Sequence, residues 1–213
     1  MISIVLATGN PHKVDEMRAI FAELAPAVSL LGLRDLQGPT PAEPAETGTT
    51  FEQNAAIKAT AYARATGRMC LADDSGLEID ALRGRPGVIS SHYCSDGREV
   101  GMTREQRDLA NNQRVLAELA GFEDPARTAR FVCVMALSAP DGHIRFTSRG
   151  TFEGLIGRQG QVPRGNNGFG YDPLFLVAPD FASTSAELDT AAKNRLSHRR
   201  RAAVSMAEFL RSL

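Results

Sequence analysis

The chain has 213 residues, 43% of them hydrophobic and 23% charged, which is ordinary globular composition with ample material for a core. A formal net charge of −1 excludes a general basic field for a long nucleic acid, so any polyanion site is local and a small anionic ligand fits better. The three cysteines, Cys70, Cys94 and Cys133, lack C-x-x-C spacing, which argues against a disulfide framework or a zinc site and points to a reducing, cytoplasmic compartment.

The N-terminal apolar run has no charged leader and is too short for a signal peptide or a membrane span. Ile2 to Ala7 reads instead as a strand covered on both faces, and it runs into Thr8-Gly9-Asn10-Pro11-His12-Lys13. Asn10 suits a helix N-cap and Pro11 a first helical position. Val14, Met17, Phe21 and Leu24 then recur at helical spacing to about Pro26. A strand, a glycine turn, a helix N-terminus and a lysine make a phosphate cradle, although a plain connection with a solvated Lys13 has the same pattern.

Residues 34–48 are rich in proline, glycine and acids and are expected to form a surface loop ending near Glu46. Thr49 with Glu52, or Thr50 with Gln53, makes a capping box for an Ala-rich helix lasting until Gly67. Its Lys58 is a snorkelling surface group unless that face looks at the next motif. That motif is Met69 to Asp80. Met69 to Ala72 reads as a short buried strand, and Leu77, Ile79 and Ala81 as a partly covered one, with Asp73-Asp74-Ser75-Gly76 at the strand end between them. Two adjacent carboxylates raise one another's pKa unless a cation neutralises them, and Mg2+ is the natural hard-oxygen guest; a polar turn is the plainer alternative.

A Gly- and Pro-rich loop from Arg83 to Tyr93 follows. Thr103 and Gln106 then cap a helix expected to turn Leu109, Leu116 and Leu119 inward and to end at Gly121. Arg130 to Ser138 and His143 to Arg149 flank Pro140-Asp141-Gly142, the pattern of an antiparallel hairpin, so a mixed sheet is expected. In Gly165-Asn166-Asn167-Gly168-Phe169-Gly170-Tyr171-Asp172-Pro173, the glycines permit positive φ and the aromatics could meet a flat ligand, or cap the core before a strand from Leu174 to Ala178. Lys193 precedes Ser197, an N-cap for a last helix through Val204, Met206, Phe209 and Leu210. Its first turn, His198-Arg199-Arg200-Arg201, opposes the helix dipole unless an anion or acceptor is near.

Taken together, Thr8 to Lys13, Glu46 to Phe51 with Asn54 and Lys58, Asp73 to Leu77, Gly168 to Pro173 and Ser197-His198-Arg199 resemble the Ham1 family of inosine triphosphate pyrophosphatases, in the family's order and over nearly the whole chain. The resemblance implies an α/β fold: a long mixed β-sheet flanked by helices, one domain over residues 1–213, with two lobes and the nucleotide in the cleft between them. It also implies a homodimer. The implied reaction is Mg2+-dependent hydrolysis of ITP, dITP or XTP to the monophosphate and pyrophosphate, with no nucleic acid or membrane partner. By motif position it makes Asp74 the general base, gives the metal to Glu46 and Asp74 with Asp73 orienting or sharing it, and gives phosphates to Thr8, Gly9, Asn10, Pro11, His12, Lys13, Lys58 and Ser75. Phe169 and Gly170 would meet the base, Tyr171 and Asp172 would shape its pocket, and Lys193, His198 and Arg199 would donate to the 6-oxo group or the sugar side.

Two stretches depart from the family pattern. Ser90-Ser91-His92-Tyr93 stands where Ser-Ala-Arg-Tyr is common, so an arginine is missing or replaced by Arg85, Arg98 or His92; Gly165-Asn166-Asn167-Gly168 stands where Gly-Thr-Gly often precedes the aromatic turn. The rival readings are a Maf-like pyrophosphatase for other nucleotides and a non-catalytic nucleotide or RNA binder. The latter is opposed by acids that repel phosphate without a metal.

Overall fold

The computed structural model describes residues 2–213, apart from the side chains of Pro11 and His12. Six strands form one sheet in the order β2-β1-β3-β4-β5-β6: β1 (Ile2–Leu6), β2 (Val28–Gly32), β3 (Cys70–Ile79), β4 (Thr128–Ser138), β5 (Ile144–Ile156) and β6 (Phe175–Val177). The sheet is mixed, as expected. β1 runs parallel to β2, with Ile4 opposite Leu30, and parallel to β3, with Leu6 opposite Leu71, whereas β6 runs antiparallel to β5. The helices are α1 (Pro11–Leu24), α2 (Phe51–Thr66), α3 (Arg104–Glu118), α4 (Thr190–Leu196) and α5 (His198–Arg211).

Local signals set most boundaries. Thr50 Oγ1 accepts the Gln53 N–H, and Gly67 closes α2 in the left-handed region at φ 64°. Thr103 and Gln106 exchange a reciprocal capping box, and Ser197 accepts the Arg200 N–H. The hairpin turn closes through Ala139 N–H to the His143 carbonyl at 2.9 Å, and α2 braces it, since Thr60 Oγ1 donates to the Gly142 carbonyl.

Three expectations fail, and two elements carry too little local pattern to be read. β3 is a single ten-residue strand that carries Asp73 and Asp74 in its interior, where a chain reversal between two strands was expected. β2 and α4 went unrecognised, because Val28–Gly32 is short and abuts a helix, and because α4 spans only seven residues. α3 ends at Glu118, before Gly121. Leu109 is 62% exposed, because it lies roughly 200° round the helix from the buried Asn111; Val115 and Leu119 supply the inward face.

By internal contacts the chain divides into two compact units. The first comprises residues 1–74, 133–150 and 197–213, and the second residues 75–132 and 151–196. In the first, Ile4, Leu6, Met17, Phe21, Leu71, Met135 and Met206 form the core. Gly150 lets β5 approach α5, since a Cβ there would lie 2.3 Å from the His198 carbonyl oxygen. In the second, Leu77, Ile79, Val115, Leu119, Phe152, Leu174 and Phe175 form the core. All three cysteines are free thiols, and among the described residues no helix is long and apolar enough to cross a membrane.

Candidate active site

Successive side chains on a strand point to opposite faces, so the interior position of Asp73 and Asp74 separates two neighbours that a turn would have left side by side. Each then meets its own cations. Asp73 accepts from Lys13 Nζ at 2.9 Å and lies 3.7 Å from Arg199 Nε. Burial would push its carboxyl up, but Lys13, Arg199 and Lys58 outweigh that and hold it well below the usual carboxylate range.

Asp74 sits in a different environment. Lys58 Nζ lies 3.2 Å from Asp74 Oδ1 and 3.1 Å from Glu46 Oε1, so one ammonium bridges two carboxylates. Burial raises the Asp74 pKa and the Glu46 charge adds to it, against Lys58. Lys58 is not the snorkelling surface group its sequence context allowed; it is buried. Burial lowers its pKa, and Asp74, Asp73 and Glu46 more than restore it, so it stays charged. The second oxygen of Asp74, Oδ2, is buried with no hydrogen-bond partner among the described residues. An anionic oxygen left open in this way, beside a second carboxylate, suits a hard cation. Among the described residues no three His, Cys, Asp or Glu side chains converge on one point, so any such cation would take its remaining ligands from water or substrate oxygens.

The loop leading into α1 belongs to the same unit. Thr8 Oγ1 accepts the Asn10 N–H at 3.2 Å, and a Cβ on Gly9 would meet nothing within 4 Å, so the backbone there is open to a close ligand. Pro11 and His12, expected in this cradle, have side chains outside the described residues. Arg199 and His198 are also in this unit, at the start of α5. Arg199 Nη1 donates to Glu16 at 2.8 Å. Burial would lower the guanidinium's pKa, but Glu16 and Asp73 raise it further.

The second unit holds the other expected residues. Asp172 organises them: Oδ2 accepts the Phe169 N–H at 2.8 Å and Lys193 Nζ at 2.5 Å, and Oδ1 accepts Ser185 Oγ at 2.8 Å. Gly168 sits at φ 81°, and a Cβ there would lie 2.2 Å from Asp172 Oδ2 and 2.5 Å from Lys193 Nζ, so a larger residue would strain the backbone and displace this pair. Phe169 is 39% exposed, unusual for a large aromatic, with Lys193 Nζ 5.6 Å from its ring centroid. Tyr171 is buried and donates to the Ser90 carbonyl at 2.7 Å, so it braces the turn from within. Ser75 opens this unit, at the boundary within β3.

A model of the Ham1 family matches residues 4–209 of this chain. The chain belongs to the Ham1 family. Among its relatives it is 47% identical to the dITP/XTP pyrophosphatase of Nitratidesulfovibrio vulgaris, covering 97% of this chain and 95% of that protein. It is 42% identical to the dITP/XTP pyrophosphatase of Bacillus subtilis, covering 99% and 98%. Among solved structures, the Ham1 protein from Coxiella burnetii superposes with a TM-score of 0.82 at 39% identity over the full length of both chains. That of Staphylococcus aureus gives 0.80 at 36% identity, over 99% of this chain and 98% of the other. Family membership thus agrees with the expected α/β architecture.

Several residues around these sites were missed. Glu16 stands one helical turn after Lys13, a spacing that could have flagged it; Ser185, Asp108 and Asn112 reach their partners across long sequence separations and left no local signal. His92, offered as a substitute for a missing arginine, bonds Ser91 Oγ at 2.8 Å and Glu99 at 3.1 Å; Arg98 bonds the Ser95 carbonyl, and Arg85 lies 3.7 Å from Glu118.

Proposed function

We propose that this chain hydrolyses non-standard purine nucleoside triphosphates (dITP, ITP, XTP) between the α and β phosphates, releasing the monophosphate and pyrophosphate and so clearing them from the nucleotide pool. The observation that carries the reading is Lys58 bridging Asp74 and Glu46 while Asp74 Oδ2 remains open, in a chain 42–47% identical to dITP/XTP pyrophosphatases. Asp74 and Glu46 would hold Mg2+, which when bound would neutralise phosphate charge.

Asp74 is the base that takes a proton from the attacking water, and Mg2+ beside it would counter the rise in pKa that burial imposes. Lys13, Lys58 and the open backbone at Gly9 bind phosphate oxygens, with Thr8, Asn10, Pro11, His12 and Ser75 completing the cradle. Phe169 stacks on the purine, Gly170 lets the backbone turn beside it, and Asp172 holds Lys193 as a donor for the 6-oxo group, with His198 and Arg199 as further donors. Adenine presents a 6-amino donor to those donors and would leave buried groups unpaired. The working form is a cytoplasmic homodimer.

The test is a product assay with dITP and Mg2+ beside dGTP and dATP, separating pyrophosphate from orthophosphate. Pyrophosphate and dIMP from dITP, with little from the other two, is expected. Release of orthophosphate would overturn the reaction, and turnover of dTTP or UTP with none of dITP would move the chain to a Maf-like activity.

A further inference from the structure

Arg104, Asp108 and Asn112 recur every four residues and so lie along one face of α3. All three reach the same turn. Asp108 Oδ2 accepts the Gly170 N–H at 3.0 Å, Asn112 Nδ2 donates to the Gly170 carbonyl at 3.1 Å, and the Arg104 guanidinium carbon lies 4.4 Å from the Phe169 ring centroid. Gly170 has φ of 64°, and a Cβ there would meet nothing within 4 Å, so glycine serves the left-handed backbone and not a tight fit. Neighbouring atoms therefore do not pin this residue; instead one helix holds both its amide and its carbonyl.

The neighbouring Asn111 secures the other flank. Its Nδ2 donates to the Ser90 carbonyl at 3.2 Å, and that same carbonyl accepts the Tyr171 hydroxyl at 2.7 Å. α3 thus braces the peptide on one side of Tyr171 directly and its side chain through Ser90.

We infer that the Arg104-Asp108-Asn112 face of α3 is a positioning device for the base-stacking ring. Asp108 and Asn112 fix the residue that follows Phe169, and Arg104 covers the ring by a cation–π contact, so the ring is preset before the purine arrives. The inference rests on the reading that Phe169 stacks on the substrate base. The bonds around Asp74, Glu46, Lys58 and Lys13 involve none of the three, so their loss is expected to act on substrate affinity and leave the chemical step.

The experiment measures KM, kcat and Tm with dITP for wild type, Asp108→Ala, Asp108→Asn, Asn112→Ala and Arg104→Ala. Asp108→Ala and Asn112→Ala are expected to raise KM about tenfold with kcat held within about twofold. Arg104 is exposed, and Arg104→Ala is expected to raise KM about threefold without moving Tm. Asp108→Asn retains an oxygen for the Gly170 N–H and is expected to bring KM back near wild type, which a general loss of stability would not do. If Asp108→Ala fails to fold, Asn112→Ala and Arg104→Ala decide. An active wild type whose variants keep its KM, or lose kcat instead, overturns this inference alone. A wild type that does not turn over dITP overturns the proposed function and this inference with it.

Discussion

Lys58 Nζ stands 3.2 Å from Asp74 Oδ1, yet the other oxygen of that carboxylate has no hydrogen-bond partner among the described residues. The ammonium compensates one oxygen of a buried acid and leaves the other buried and open. Asp73, one residue earlier, is engaged by Lys13 and Arg199 together. The two acids thus sit in different environments, one held ionised beside Lys13 and Arg199 and the other with an open oxygen.

Asp74→Asn keeps shape and volume while removing the proton acceptor and half of the paired charge. It is expected to lower kcat by about 10²–10⁴-fold with the fold retained. The check is a pyrophosphate-release assay with circular dichroism on the same preparation; a near-normal rate would remove Asp74 from the role of base.

Lys58→Met leaves Asp74 and Glu46 facing each other without a cation. Removing one partner of a buried ion pair costs about 3–5 kcal/mol, so the metal-free variant is expected to melt well below wild type. Added Mg2+ should then raise Tm more in the variant than in wild type, because the metal takes over the lost charge. Thermal unfolding with and without Mg2+ measures this, and equal Mg2+ shifts would contradict the placement of the metal beside Asp74.

Phe169→Ala removes an exposed ring without opening the core. Base stacking on an aromatic side chain contributes about 1–3 kcal/mol, so KM for dITP is expected to rise about fivefold to 150-fold with kcat much less affected. Steady-state kinetics would show it, and an unchanged KM would mean that the purine stacks elsewhere.

The Asp73 carboxyl is depressed in the folded state, so its contribution to stability is fully present above its ordinary pKa and is lost as pH falls from there toward the depressed folded value. The resistance of the metal-free protein to chemical unfolding is expected to weaken as pH drops below about 4. Asp73→Asn should be less stable at neutral pH, and its stability should depend less steeply on pH in that acid range. A variant with an unaltered acid slope would show that other carboxylates dominate it.

Wherever the determining interactions are local, the chain announces its own structure. The Thr50, Thr103 and Ser197 caps bond within three residues of themselves, and the turn after β4 needs only Asp141 and Gly142 to reverse, so periodicity and turn chemistry place α2, α3, α5 and the hairpin. The motif order likewise assigns the family. The tertiary structure decided the rest. A strand runs through Asp73 and Asp74 because β3 is held in the sheet between β1 and β4, and that placement, invisible to local pattern, sends the two acids to opposite faces. Lys58 is buried because Asp74 lies 16 residues on and Glu46 a helical start before it; Arg199 meets Glu16 across 183 residues, and Asp172 is saturated by Ser185 and Lys193. Charges of this kind become tolerable inside a protein only when folding delivers their partners, so composition can name the candidates while packing alone gives each carboxylate its environment.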